Sequence, residues 1–441
     1  VTVLNEIARS KHEKVKVAVT DLDGILRGKY LQKEKFLSAA KGGFGFCNVV
    51  FGWDSSDACY DNATYTGWHT GYPDALARID LSTYRSVPWD GDVPFFLGDF
   101  ELDVCPRQLL KRVLARAAKA GIRPRCGVEY EWFNFRETPQ SLAAKGGVDP
   151  EPLTPGMFGY SLLRAGLNQP YFAALMDQLR GFGVPLEGLH TETGPGVFEA
   201  AISHSEALEA ADRAVLFKTA VKEIAYRHGI LASFMAKWNA KLPGCGGHIH
   251  LSAWDGKRNL FHDERDPAKM SPTFKSWLAG QLRCLPEILP LFAPCVNSYK
   301  RLVDGYWSPT KSTWGVDNRT TAFRVIPGSP KSTRVEVRIG GADLNPYLAV
   351  AASVASGLYG VERKLKLTDA PVVGSAYQAS SVPRLPRNLQ EATARLAESS
   401  IARELFGEGF VDHFVRTRRW EWSQFQDAVT DWELRRYFEI I

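Results

Sequence analysis

The chain has 441 residues, 45% of them hydrophobic and 23% charged, and its formal net charge is +5. That composition is ordinary for a globular protein and suits one large domain with a smaller companion. No apolar run approaches the ~20 residues that span a membrane. No Lys/Arg block interleaved with aromatics points to nucleic acid, and an arginine-lined pocket for phosphates accounts for the basic balance.

Residues 1–104 are expected to form a small β-rich unit. Val1 to Glu6 lacks the basic, apolar, small-residue order of a secretory leader. Val15, Val17 and Val19 alternate with Lys and Ala, and Asp23-Gly24 marks a tight turn before Ile25-Leu26-Arg27. A short helix is expected over 31–40, a loop over 54–62 and turns over 88–94. Pro106 opens a helix over 107–120, with Leu109, Leu110, Val113 and Leu114 on one side. The domain boundary is placed just before it, so the second domain covers 105–441. There a strand is expected over 126–133, with helices over 169–182, 206–228 and 274–285, the last ended or kinked by Pro286. Further helices are expected over 346–365 and 420–437, with an extended loop over 367–387. The fold class is α+β. Seven cysteines, an odd number without metal-ligand spacing, read as reduced thiols of a cytoplasmic protein.

Three segments carry polar groups on one strand face, because strand side chains alternate with a period of two. Glu129 and Glu131 flank Tyr130; His248, His250 and Ser252 share a face; Arg334, Glu336 and Arg338 share another around Val335 and Val337. Glu192 and Glu199 bracket the turn Thr193-Gly194-Pro195-Gly196, which can fold both onto one centre. Carboxylates with one imidazole suit Mg²⁺ or Mn²⁺ rather than a structural zinc. Two such ions can clamp a transferring phosphoryl group.

Together these segments identify the chain as similar to the glutamine synthetase family. The matching stretches are Gly127-Val128-Glu129-Tyr130-Glu131-Trp132-Phe133, Glu192-Thr193-Gly194-Pro195-Gly196-Val197-Phe198-Glu199 and Gly244-Cys245-Gly246-Gly247-His248-Ile249-His250-Leu251-Ser252. They continue with Asn297-Ser298-Tyr299-Lys300-Arg301-Leu302, Asn318-Arg319-Thr320-Thr321-Ala322-Phe323-Arg324 and Arg334-Val335-Glu336-Val337-Arg338, followed by Asn345-Pro346-Tyr347. The resemblance implies an N-terminal β-grasp domain and a C-terminal α/β catalytic domain with a curved antiparallel sheet. It implies a homo-oligomer, a dodecamer of two stacked hexameric rings with sites at subunit junctions.

It also implies roles. Glu131, Glu192 and Glu199 would hold one metal, and Glu129, His248 and Glu336 a second. Arg301 and Arg338, with the backbone at Gly244, would grip glutamate. Arg319 and Arg324 would stabilise the phosphoryl group in flight. His250, Ser252, Lys331 and Arg334 would line ATP. The implied reaction phosphorylates the γ-carboxylate of glutamate, after which an amine displaces phosphate, with Glu192 helping to deprotonate it.

Departures concern the amine. In ammonia-using members the loop after Asn-Ser-Tyr-Lys-Arg-Leu carries a glutamate that helps bind ammonium; here Trp307 stands there, in Val303-Asp304-Gly305-Tyr306-Trp307-Ser308-Pro309. An indole cannot act as a base. The other ammonium-site acid, which the family supplies from the N-terminal domain of the neighbouring subunit, matches Trp53, or Asp54 after a one-residue slip. Tyr160 matches the pocket tyrosine. An alkyl or aromatic primary amine is therefore expected. The alternatives are ammonia itself, or a non-catalytic relative; the complete set of metal and arginine positions argues against the latter. Pro243 stands where ammonia-using members have Asn. His190 reads as a satisfied core histidine, Cys245 as a buried thiol, Tyr377 as structural, and Trp420, Trp422, Phe425 and Trp432 as packing residues.

Overall fold

The computed structural model describes residues 3–441; the leader reading begins at residues 1 and 2, which lie outside the described residues. Among the described residues the strands fall into two sheets. The first comprises Lys14–Thr20, Leu26–Gln32, Phe44–Cys47, Asp74–Ile79, Arg85–Val87 and Val93–Phe100. Lys14–Thr20 and Leu26–Gln32 make the expected hairpin, registered from Lys14↔Gln32 to Thr20↔Leu26. Its turn needs Gly24 at φ 79°, a left-handed conformation that costs glycine little. The Asp21 carboxylate braces the turn by accepting from the Asp23 and Ile25 amides at 3.0 and 2.9 Å. Val93–Phe100 is buried along its whole length and runs parallel to Lys14–Thr20.

The second sheet runs in the order Trp314–Val316, Phe323–Ile326, Arg334–Val337, Gly247–Trp254, Arg123–Phe135, Val197–Ile202, Leu186–Thr191. Its neighbours on this path pair antiparallel except the first two. On Arg123–Phe135 the alternation separates two environments. Val128, Tyr130 and Trp132 are buried, and Tyr130 and Trp132 pack on Phe217 and Phe234. Glu129 and Glu131 point the other way, toward the cavity described below.

Behind this sheet lies Pro346–Glu362, apolar on all sides, packed on helices Pro106–Lys119, Ala207–Arg227 and Pro272–Ile288. Where it crosses Pro272–Ile288, Gly280 and Gly360 allow backbone to meet backbone: a Cβ at Gly360 would stand 2.0 Å from the Ser276 carbonyl. Arg107, 2% exposed, ties the first sheet to the helices behind the second by donating to Asp99 of Val93–Phe100 at 2.6 Å and to Asp212 of Ala207–Arg227 at 2.9 Å. Removing one member of such a network leaves an uncompensated buried charge.

Three local expectations need correction. Pro286 does not end its helix, which runs Pro272–Ile288; a proline in the last turn displaces little of the hydrogen-bond ladder. The 420–437 helix is two helices, Glu408–Asp427 and Asp431–Tyr437, because Thr430 caps the second with a reciprocal Glu433 hydrogen bond. The first expected helix starts later, at Lys33, since residues through Gln32 pair in the hairpin. Among the described residues no helix is long and apolar enough to cross a membrane. The seven cysteines form no disulfide, and Cys245 is buried.

Candidate active site

Register decides which polar faces meet. His248 lies opposite Glu129, and His250 opposite Glu336. Glu131 lies opposite Glu199, whose other neighbour is His190. Arg324 lies opposite Glu336. These rows floor a cavity of about 500 Å³ that also takes in Tyr160, Glu192, Gly244, Arg301, Trp307, Arg319 and Arg338. A second cavity of about 340 Å³ shares Glu129 and is lined by His250, Ser252, Lys331 and Arg334.

The donor atoms cluster tightly. His248 Nδ1 stands 3.3 Å from Glu129 and 3.5 Å from Glu336. One donor atom from each of Glu129, His250 and Glu336 lies within 4.8 Å of the others, and the same holds for His190, Glu192 and Glu199. The Nε2 atoms of His248 and His250 are buried without a hydrogen-bond partner. Glu131 accepts from the Gly246 amide at 2.7 Å, which turns one oxygen away from the rest.

Five carboxylates in one cavity cannot all stay charged in the absence of a cation. Burial, then the neighbouring Glu129, Glu131 and Glu192 carboxylates, push Glu199 up to about 12. Burial would raise Glu129 as well, but the adjacent His248 and His250 imidazoles outweigh it and hold its carboxyl well below the usual range. Burial likewise opposes the ionisation of Glu336, and Arg338, His250, His248 and Arg324 overcome it, leaving a value of about 2. Oxygen-rich donor sets with orphaned imidazole nitrogens fit divalent cations.

The arginines are held by backbone and carboxylates. Arg301, 4% exposed, donates to the Ile339 and Arg338 carbonyls at 3.2 and 3.3 Å. Arg338 pairs with Glu336, and its Nε donates to the Arg319 carbonyl at 3.1 Å. Arg324 bridges Glu336 at 2.8 Å and Asp317 at 2.9 Å. Gly244 and Gly246 make this packing possible: a Cβ on Gly244 would meet the Ala236 carbonyl at 2.4 Å, and one on Gly246 would meet His248 Nε2 at 2.5 Å. In the smaller cavity Arg334 donates to His250 Nδ1 at 3.1 Å, which aims Nε2 at Glu129, 3.7 Å away. Ser252 accepts from Trp254 at 2.9 Å.

Tyr160 and Trp307 face the larger cavity and are 70% and 60% exposed. Both have positive φ, 55° and 58°, as does Asp317 at 51°. Such strain in bulky residues collects at sites where the surroundings hold the chain in place. The Trp307 loop is tied down at Asp304, which accepts from Thr310 and Arg384, each at 2.7 Å.

Asp54 lies outside the cavity of its own chain, where its carboxylate caps its loop at the Ser56 and Ala58 amides and accepts from Trp420 at 3.1 Å; the expectation concerns the Asp54 loop of a neighbouring subunit. One expectation fails here. His190 is not a core histidine. Its side chain is 29% exposed, lies 3.7 Å from Glu192 and 3.6 Å from Glu199, and stacks on Tyr160 at 4.4 Å. The signal was its two-residue spacing from Glu192; the strand pairing that gives it Glu199 is invisible locally.

Paired donor sets beside guanidiniums and a basic second cavity have the chemistry that phosphoryl transfer to an anionic substrate requires. Residues 103–437 match the glutamine synthetase catalytic domain family, and the chain belongs to that family. It is an ATP-dependent carbon–nitrogen ligase. A Dictyostelium discoideum protein called type-1 glutamine synthetase 2 is 57% identical across 100% of this chain and 86% of its own length. A glutamate–isopropylamine ligase from a Pseudomonas species is 37% identical across 99% of this chain and 97% of its own. The solved structure of a GmaS/ADP complex superposes with a TM-score of 0.86 at 29% identity, covering 99% of both chains.

Proposed function

We propose that this ligase joins the γ-carboxylate of glutamate to a primary alkyl or aromatic amine at the expense of ATP. The observation that carries the reading is Trp307, exposed on the cavity rim in the position where an acid would serve ammonium. With Tyr160 and Tyr306 it makes an aromatic mouth, which favours apolar area and a cation-attracting face over a bare ammonium ion. The isopropylamine ligase relative supports this reading. The name of the 57% identical relative favours ammonia as the second reading.

In this proposal ATP occupies the cavity of His250, Ser252, Lys331 and Arg334. Glutamate lies in the larger one, its carboxylates on Arg301, Arg338 and the Gly244 amide. Glu131, Glu192 and Glu199 would hold one divalent ion, and Glu129, His248 and Glu336 a second. Bound Mg²⁺ or Mn²⁺ would supply positive charge beside the phosphoryl oxygens. A γ-carboxylate oxygen attacks the terminal phosphorus and the bond to ADP breaks. Arg319 and Arg324 offset charge on the phosphoryl oxygens. The amine nitrogen then attacks the acyl carbon, phosphate leaves, and Glu192 takes the amine proton. Closure of the Trp307 loop keeps water from the acyl phosphate.

The same reading makes residues 1–104 a β-grasp domain and the assembly a cytoplasmic dodecamer, whose neighbouring subunit would bring its Asp54 loop toward the amine. Phosphate release from ATP with glutamate present, screened across ammonia and alkyl, aromatic and polyamine substrates, tests the proposal. Strong stimulation by a larger amine and little by ammonia is expected; preference for ammonia refutes it.

A further inference from the structure

We infer that a cavity separate from the active site is an effector site for a small carboxylate with an aromatic or branched-alkyl body, and that its occupant loosens the Trp307 loop. The cavity measures about 510 Å³ and lies between helix Pro272–Ile288, the end of Pro346–Glu362, strand Trp314–Val316 and the segment 365–385. It shares no lining residue with the two cavities of the active site. Its size falls in the range that holds small ligands.

Apolar walls meet a cationic rim. Leu282, Pro286, Tyr359 and Val382 form the walls with the Trp314 indole, whose Nε1 already donates to the Asp369 carbonyl at 2.9 Å. Around them stand Arg283, Lys366, Arg384 and Arg395 against one carboxylate, Asp369. Arg283 pairs with Glu287, whereas Lys366 and Arg395 are exposed and form no ion pair among the described residues. Thr313 lines the same cavity, is 4% exposed, and its hydroxyl finds no hydrogen-bond partner among the described residues. Buried hydroxyls are nearly always satisfied. Thr313 lies two residues from Lys311, which pairs with Arg384 in an isolated bridge, so this hydroxyl and the Arg384 guanidinium belong to one end of the cavity. A carboxylate there accepts from both.

The cavity wall is joined to the amine loop. Arg384 donates to Asp304 at 2.7 Å, and Asp304 anchors the loop that carries Trp307. The Leu385 amide donates to the Thr310 carbonyl at 3.0 Å, and Lys311 donates to the Tyr377 and Ala379 carbonyls at 3.0 and 2.7 Å. The segment that closes the cavity is thus stitched along the far limb of the loop. An anion that takes Arg384 competes directly with Asp304. Both side chains of that pair face solvent, so the tie is weak enough for a ligand to break. The kinetic consequence rests on the role proposed above for the Trp307 loop; the binding site does not.

Calorimetry on the full-length protein, with ADP and glutamate present, tests the site with 2-naphthoate as probe. One naphthoate per chain should bind, and neutral 2-naphthamide at least about tenfold more weakly. K366M/R395M, which alters two exposed side chains, should weaken naphthoate about tenfold and leave basal turnover unchanged. T313V keeps the shape of the wall and should weaken it severalfold. In the parent, naphthoate should raise KM for the preferred amine, ammonia included, about threefold. D304N should bind naphthoate at least as tightly, start from a raised KM and respond no further. Absence of binding, equal binding of the amide, or undiminished binding by K366M/R395M overturns the site. Binding that leaves KM unmoved, or moves it equally in D304N, overturns the link to the loop. Calorimetry needs no turnover, so the fate of the site is read apart from the choice of amine.

Discussion

Replacing Glu199 with glutamine should stabilise the chelated protein while weakening its metal binding. Glu199 and Glu192 carry oxygens within 4.8 Å of one another. At an effective dielectric of about 20, two unit charges that close repel by at least about 3.5 kcal/mol. Burial adds to the cost of ionising Glu199, whose carboxyl is pushed up from 4.5 to about 12. Between those values the folded form keeps a proton that the unfolded chain releases, so stability falls as pH rises. Glutamine mimics the protonated acid and removes that dependence. Allowing for relaxation of the site, E199Q should gain about 1–4 kcal/mol in chelator near pH 8 and little near pH 5. Urea unfolding at fixed protein concentration, with and without Mn²⁺, measures this. The order should reverse with saturating Mn²⁺, which binds only the unaltered donor set well. A chelated E199Q protein less stable than the parent at both pH values would refute the reasoning.

E336Q should abolish phosphate release while leaving assembly intact by light scattering, because the buried carboxylate that meets Arg324, Arg338 and His248 loses its charge; substantial turnover would sink its metal role. G244A should cost about 1–3 kcal/mol in urea unfolding and raise KM for glutamate, since its Cβ overlaps backbone at Ala236; a neutral effect on both would argue against the tight Arg301 packing. W307E should raise kcat/KM for ammonia relative to isopropylamine at least tenfold, about 1.4 kcal/mol; an unchanged ratio would remove Trp307 from the amine site.

The donors themselves were legible in the sequence because alternation along a strand is local. Glu129 and Glu131, or His248 and His250, must share a face whatever lies beyond. The first hairpin was legible for the same reason, its turn and both strands lying within Lys14–Gln32. Helix ends were less so: Thr430 and Glu433 break one expected helix through a cap that periodicity does not register. What a single strand cannot specify is its neighbour or its register. Only the folded sheet sets His190 beside Glu199 and Arg324 beside Glu336, and turns Glu131 toward Gly246. The residue types thus settled which chemistry the chain can perform. Pairing between segments far apart in sequence settled which of those residues share a site, since such contacts form only when the whole core packs.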